Sequence, residues 1–442
     1  MSATGELVSF ICDLDPVCLP DFVLKQASRC VLDLVGVAIS GTRTPTAKIS
    51  ARFAFEQFAP GNITVIGSRQ SLCTSGATWV NGALASTLDM DDGNRMAMGH
   101  PGSNVIPAAL AVAQQTGASG REFLAAIVAG YEVAVRASVA RVPSYKDQMY
   151  STGIWGVFGA TTAAAKLLKF DEATLQSALG IAGSHGPFPP GGLQANHAMT
   201  KEVIAWSGMT GVAAALLAQR GFIGPPDIMD YSGRWDTAVL LDGLGSLGRS
   251  AILNTYFKPY AVCRWAHAPV DAALELKKRY NLRHREIEKI RVESFWEVAQ
   301  LCDYTPSNTV AAQFSIPFAL ALALTYDKIG PEEVSEANLH NQAILDLAQK
   351  VELTVDPVLN SQFPAKTMAQ VTIHTRRGNY RMIIEHPRGN PENPLSDTEL
   401  ADKFSSLSVG IIGENTCAKL LAAISGLVPA KNVSSLTELL VF

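Results

Sequence analysis

The sequence predicts a mainly α-helical protein, with a large all-helical domain and a smaller α+β domain inserted into it. Three observations predict this. Up to about Ala266 apolar residues recur at helical spacing in segments rich in Ala and Gly. After His267 several short segments alternate apolar and polar residues as strands do. Beyond a Pro- and Asn-rich stretch, GNPENPLS, the helical character returns. The resulting boundaries are 1–267 with 393–442 for the helical domain and 268–392 for the α+β domain. A chain of 442 residues accommodates two such domains.

The helical elements follow in order. Leu19 to Ile39 is periodic over its whole length. NVIPAALAVAQQTG reads as a helix with Pro107 in the first turn and Gly117 as its stop. Ser119 and Glu122 have capping-box spacing ahead of EFLAAIVAGYEVAVRASVA. Ala- and Gly-rich helices follow at Ile154–Leu168, Glu172–Ala182 and Lys201–Arg220. Their small residues let helices approach closely, which predicts a compact bundle. In the second domain Ile287–Ser294, Val351–Val355, Gln370–Thr375 and Tyr380–His386 read as strands. The last two flank RRGN, a hairpin turn with Gly378. Ala311–Thr325 and Pro331–Ala348 are helix candidates, and Asp397–Val428 closes the chain as helix.

Composition excludes several classes. Hydrophobic residues make up 48% and charged residues 17%, so the chain is either membrane-embedded or deeply cored. The charge-free segments Val203–Gln219 and Thr309–Tyr326 carry Ser207, Thr210, Gln313, Ser315 and Pro317, and read as core helices. The net charge is −4 and no basic run interleaves with aromatics, which argues against nucleic acid. MSATGELVSF lacks a basic segment followed by a long apolar one, so a cytoplasmic location is expected. Seven cysteines without a CxxC pair fit reduced thiols, not a zinc knuckle or a disulfide framework.

The densest polar cluster is LDMDDGNRMAMGHPGSNVIP, holding Asp89, Asp91, Asp92, Asn94, Arg95 and His100 between two apolar helices. Polar groups wedged there are satisfied by capping, hold a hard cation, or are functional. The spacing matches no specific metal motif, and no metal is expected. Three further clusters are cationic: Lys146, Asp147 and Tyr150; His185, His197 and Lys201; Lys258, Arg264 and His267. Lys201 is either a boundary lysine with a buried stem or an ammonium held in a pocket. Taken together the clusters suggest a pocket for anions. Gly243, Gly245 and Gly248 spell GxGxxG after AVLL, but no β/α alternation surrounds them.

Several segments, in this order, resemble the MmgE/PrpD family. They are LASTLDMDDGNRMAMGHPGSNVIPAALA, YSTGIWGVFGATTAAAKLL, AMTKEVIAWSGMTGVAAALLAQRGFIGP, FKPYAVCRWAHAPVDAAL, AAQFSIPFALALAL and EHPRGNPENPLS. The resemblance implies a helical domain with an α+β lid, a homodimer and a cleft between the domains. It also implies chemistry next to a carboxylate of a small polyacid, without a redox cofactor. Known family activities are methylcitrate dehydration, cis-aconitate decarboxylation and iminodisuccinate epimerisation. Asp89, His100, Lys201 and Lys258 match family site positions. Three positions depart: Tyr150 stands where the dehydratases and decarboxylases carry His, Gly93 at a hydroxyl position, and Cys263 at a decarboxylase histidine.

These departures point to an epimerase acting on an amino-polycarboxylate, resembling iminodisuccinate epimerase. Epimerisation needs a base on one face of the carbon and an acid on the other. Tyr150 and Lys201 would form that pair, and cations around the carboxylate would stabilise enolate-like charge. His100 joins them as a third catalytic candidate. Asp89, Arg95, Lys146, Lys258 and His267 would bind substrate. The alternatives are a dehydratase or decarboxylase of a small tricarboxylate working through Lys201 and His100, and a catalytically silent polyacid-binding protein.

Overall fold

A computed structural model describes residues 1–144, 151–189 and 198–442. The principal helices are α1 (Ala3–Asp13), α2 (Asp21–Gly41), α3 (Pro45–Gln57), α4 (Thr74–Ser86), α5 (Pro101–Thr116), α6 (Gly120–Val139), α7 (Thr152–Leu167), α8 (Glu172–His185), α9 (Ile204–Ala218), α10 (His267–Tyr280), α11 (Ile316–Tyr326) and α12 (Asp397–Ser425). The protein is mainly α.

The Ala- and Gly-rich segments form a bundle in which α7 packs against α5, α6, α8 and α9. Close approach at its centre depends on two glycines. A methyl group on Gly130 of α6 would meet the Gly159 carbonyl of α7 at 2.9 Å, and one on Gly159 would meet that of Gly130 at 2.6 Å. The capping box at Ser119 and Glu122 forms as expected and starts α6. The long helix α12 lies along α2, with Phe404 against Gly36. Among the described residues α12 alone has the length and hydropathy of a membrane span, but it breaks its helical dihedrals at Gly413 and buries Lys403 in an ion pair with Asp33.

Short two-residue strands, β3 (Gly93–Asn94) and β4 (Thr255–Tyr256), pair antiparallel beside the acidic segment. The main sheet has the order β6-β5-β7-β8, with β5 (Ile287–Ser294), β6 (Val351–Val355), β7 (Ala369–Thr375) and β8 (Gly378–Ile384). β5 runs parallel to β6 and antiparallel to β7. β7 and β8 form a hairpin as expected, but its turn is Arg376 and Arg377, and Gly378 opens β8 opposite Thr375; α10 covers the pair. A separate pair, β1 (Pro60–Thr64) and β2 (Ser71–Leu72), precedes α4. One apolar core fills the helical bundle, and a second lies between this sheet, α10 and α11. Val37, Leu88, Met90 and Leu407 of the bundle reach into the second core. Leu88 and Met90 flank Asp89, so the acidic segment sits where the two cores meet.

Four local expectations change. α5 begins at Pro101, leaving Pro107 inside the helix. Either proline suits a first turn, and spacing alone cannot choose between them. α9 starts only at Ile204, because Lys201, Glu202 and Val203 have left-handed φ of 41°, 57° and 53°. The Ala311–Thr325 segment divides into Thr309–Gln313 and α11, since the Ser315 hydroxyl caps Phe318 and Pro317 follows. Pro331–Ala348 holds two short helices, Glu336–Leu339 and Gln342–Ala348. The apolar run before Gly243 is the short helix Thr237–Leu241, which removes the strand a dinucleotide fingerprint requires.

Candidate active site

The site is built on a buried ion triad. The Asp89 carboxylate accepts from Lys201 Nζ at 3.1 Å and from Lys258 Nζ at 2.7 Å. All three side chains are at most 5% exposed. Burial opposes the Asp89 charge, but the two ammonium groups and His100 outweigh it and hold the carboxyl well below its usual range. Three chain segments far apart in sequence supply the triad. Asp89 and Lys201 both have left-handed backbone, at φ 51° and 41°. Such strain persists only where surrounding contacts over-determine it, and here those contacts join the two side chains.

Gln313 locks Lys201 in place. Its Oε1 accepts from Lys201 Nζ at 2.8 Å and its Nε2 donates to the Thr87 carbonyl at 3.1 Å. The Phe314 ring centroid lies 5.0 Å from the same ammonium. Glu202 is tied to the start of α7, where the Thr152 N–H donates to its Oε2 at 2.9 Å and the Thr152 hydroxyl donates as well. That hydroxyl accepts from the His100 N–H at 3.2 Å, so α5, α7 and the Lys201 turn share one network.

His100 is a second titratable group at the site. Its Nδ1 donates to the Asp92 carbonyl at 2.9 Å, and Asp91 lies 3.5 Å from the same nitrogen. Burial disfavours the imidazolium, but the Asp91 charge overrides it and raises the His100 pKa above its ordinary value. With Nδ1 committed to the backbone, Nε2 is the atom that can exchange a proton with a ligand.

The remaining acids are scaffold. Asp33 pairs with Lys403, which also donates to the Met90 carbonyl at 2.8 Å. Asp92 accepts from the Gly102 N–H at 3.1 Å and from the Tyr131 hydroxyl. Burial, with the charges of Asp33 and Asp91 beside it, pushes the Asp92 pKa up to about 7. An acid whose pKa is higher in the folded state favours folding while protonated. Its cost therefore grows as pH rises from the ordinary carboxylate range to about 7 and is constant above that. Relative to the wild type, Asp92→Asn is expected to gain stability as pH rises from 4 to 8, by an amount on the order of a few kcal/mol. Urea titrations across that range measure it, and a pH-independent difference would contradict the assignment.

Two adjoining narrow chambers open on these groups, the outer with about 40 Å³ of free volume and the inner with almost none. The inner one is lined by Ser86, Asp89, Asp91, His100, Lys201, Glu202, Ile204 and Phe314. The outer one shares Asp89, His100, Glu202 and Phe314 and adds Asn94, Arg95, Tyr256, Cys263, Arg264 and Thr367. Gly93 shapes the outer chamber. A methyl group there would stand 2.3 Å from the Tyr256 hydroxyl, so this phenol fills the volume of a side chain at position 93. Burial and the Asp89 charge push the Cys263 thiol up to about 12, so it stays neutral. A larger cavity of about 780 Å³ lies behind Thr87 and Gln313. Its lining sets Asp327, Glu332, Glu333 and Glu336 against Arg43 and a Lys328 that is paired with Glu333, so its acidic balance does not suit a polyanion.

Of the residues singled out in the sequence, Asp89, His100, Lys201 and Arg95 line these chambers, and Lys258 lies buried behind Asp89. Arg95 is ion-paired with Glu392 at 2.7 Å. His267 does not line them. It is fully buried against the Tyr260 ring, its Nε2 3.2 Å from the Val262 carbonyl, and burial holds its pKa well below the ordinary value. Tyr150 and Lys146, with His197, lie outside the described residues. Sequence reasoning passed over Gln313, Glu202, Tyr256 and Thr367. Only Gln313 gave a signal, as a polar residue in an otherwise apolar run.

Comparison with known proteins finds relatives along nearly the whole chain. Cis-aconitate decarboxylase from Aspergillus terreus is 25% identical over 479 residues, covering 99% of this chain and 95% of that protein. The human cis-aconitate decarboxylase is 25% identical over 446 residues, covering 96% and 91%. The mouse enzyme of that name is 24% identical over 462 residues, covering 99% and 93%. Residues 5–242 match the model of the MmgE/PrpD N-terminal domain and residues 260–427 that of the MmgE/PrpD C-terminal domain, and the chain therefore belongs to the MmgE/PrpD family.

Proposed function

We propose that the protein is a carboxy-lyase acting on a small unsaturated tricarboxylate of the cis-aconitate type. The observation that carries this reading is the set of cations in and directly behind the two chambers. Lys201, His100, Arg264 and Arg95 line the chambers beside the acids Asp89, Asp91 and Glu202, the fully buried Lys258 backs Asp89, and of these cations Arg264 forms no ion pair among the described residues. Such a site suits a polyanion. The names of the relatives support the same substrate class.

The chemistry asks little more of the protein. In a β,γ-unsaturated carboxylate, the pair from the breaking C–CO2 bond forms a new double bond. The old π bond takes a proton at the γ carbon, and carbon dioxide leaves. One general acid is enough, with cations to hold the remaining carboxylates. The Lys201 ammonium suits the role of acid, since Asp89 and Gln313 take two of its three protons and leave one for substrate. His100 Nε2 is the other donor in the inner chamber.

A second reading, epimerisation next to a carboxylate of an amino-polycarboxylate, draws on Cys263 and Gly93. The neutral thiol and the bare glycine supply neither the imidazole nor the hydroxyl that the resemblance associates with decarboxylases. The deciding experiment is incubation with cis-aconitate, and separately with iminodisuccinate, in deuterium oxide, followed by proton NMR. Decarboxylation yields carbon dioxide and one deuterium on the former alkene carbon. Exchange of an α-proton without carbon dioxide would replace the first reading with the second.

A further inference from the structure

Arg264 is 7% exposed and lines the outer chamber, yet among the described residues it forms no ion pair. Its Nη2 donates to the Asn390 side-chain oxygen, its guanidinium carbon lies 4.6 Å from the Tyr256 ring centroid, and its Nη1 is buried without a partner. A buried cation without a counter-charge is costly, and a bound anion removes that cost. The neighbouring groups are in the same condition. Thr367 is 3% exposed and its hydroxyl is unpartnered, as are Nε and Nη1 of Arg95. The Tyr256 hydroxyl takes no hydrogen bond among the described residues and reaches the chamber only because residue 93 is glycine. Burial raises the Tyr256 pKa, so the phenol remains a donor.

We propose that Arg264, Tyr256 and Thr367, flanked by Arg95, form a carboxylate-recognition subsite distinct from the Lys201–Asp89–Lys258 centre. The chambers of the two share Asp89, His100, Glu202 and Phe314, while Arg264, Tyr256 and Thr367 line the outer one alone. The inner chamber performs the proton transfer, and the outer one holds a carboxylate that does not react. Selectivity for three carboxylates over two arises in the outer chamber. Thr367 comes from the α+β part of the chain and Tyr256 from the strand paired with the acidic segment, so a bound carboxylate also ties these parts together. This subsite rests on the polycarboxylate reading of the cleft, but it does not require decarboxylation.

Calorimetric binding of tricarballylate, a saturated tricarboxylate, and of glutarate, which has one carboxylate fewer, tests it without turnover. The wild-type protein is expected to prefer tricarballylate by about 10- to 100-fold. Arg264→Gln is expected to remove that preference while leaving glutarate affinity nearly unchanged. Tyr256→Phe and Thr367→Val each delete one hydroxyl and are expected to weaken tricarballylate alone by about threefold to tenfold. They decide the question if Arg264→Gln does not fold. No preference in the wild type, or a preference that survives in all the folded variants, overturns the subsite. A protein that shows the preference but releases no carbon dioxide from cis-aconitate would overturn the proposed reaction and leave the subsite standing.

Discussion

Asp89→Asn is expected to destabilise the fold by about 3–5 kcal/mol and to lower kcat/KM by at least about 10³-fold. The stability loss comes from what the substitution leaves behind. Lys258 is fully buried and Lys201 nearly so, and both ammonium groups rest on the one carboxylate. Asparagine is close to isosteric and can still accept one of the two hydrogen bonds, so packing is kept and the missing term is the charge. The activity loss follows because Lys201 loses the group that aims it. The pH dependence gives a second check. Asp89 has a folded pKa below its ordinary value, so its stabilisation is present above the usual carboxylate range. It is lost only as pH falls through the depressed folded value. The wild-type advantage over Asp89→Asn is therefore expected to persist from pH 8 to pH 5 in urea titrations, growing modestly as His100 gains its charge. Equal denaturation midpoints for the two proteins would mean that the lysines find another counter-charge.

Much of this site was legible in the sequence because its acidic half is local. Asp89, Asp91, Asp92 and His100 fall within one loop between two apolar helices, where polar groups stand out. Lys201 and Lys258 could be singled out as cations at loop–helix boundaries, but not as partners of the same carboxylate. That pairing is a long-range contact, and spacing along the chain carries no trace of it. The same limit hid the roles of Tyr256 and Gly93. The sequence shows a missing hydroxyl at position 93, while the structure shows a phenol from a strand more than 160 residues away in its place. Lys201 as the first residue of a helix was a reasonable reading of KEVIAW, since nothing in those residues signals three left-handed conformations in a row. Strain of that kind is imposed by tertiary contacts against local preference. The strands were read closely because period-two alternation over β5 and β6 is a local signal, and both elements match their expected bounds. The preference for an epimerase rested on Tyr150, Gly93 and Cys263. The first lies outside the described residues, and the similarity to cis-aconitate decarboxylases shifts the weight to the lyase.

Lys201→Arg is expected to lower kcat by about 10²- to 10⁴-fold while changing tricarballylate affinity only a few-fold. This substitution separates catalysis from structure better than alanine does. A guanidinium keeps the positive charge that Asp89 needs, can donate to Gln313, and lies as readily over the Phe314 ring. What it cannot do at ordinary pH is give up a proton, because arginine stays charged throughout. If Lys201 serves only to balance Asp89 and hold substrate, Lys201→Arg retains most of the activity. If it delivers the proton to the alkene carbon, binding and stability persist and turnover falls. Single-turnover measurements of carbon dioxide release, beside calorimetry and a urea midpoint on the same preparation, distinguish the two. A variant retaining more than about a tenth of wild-type kcat would move the acid to His100. The imidazolium that Asp91 sustains there would then set the pH profile, with activity falling as pH rises through the raised His100 value.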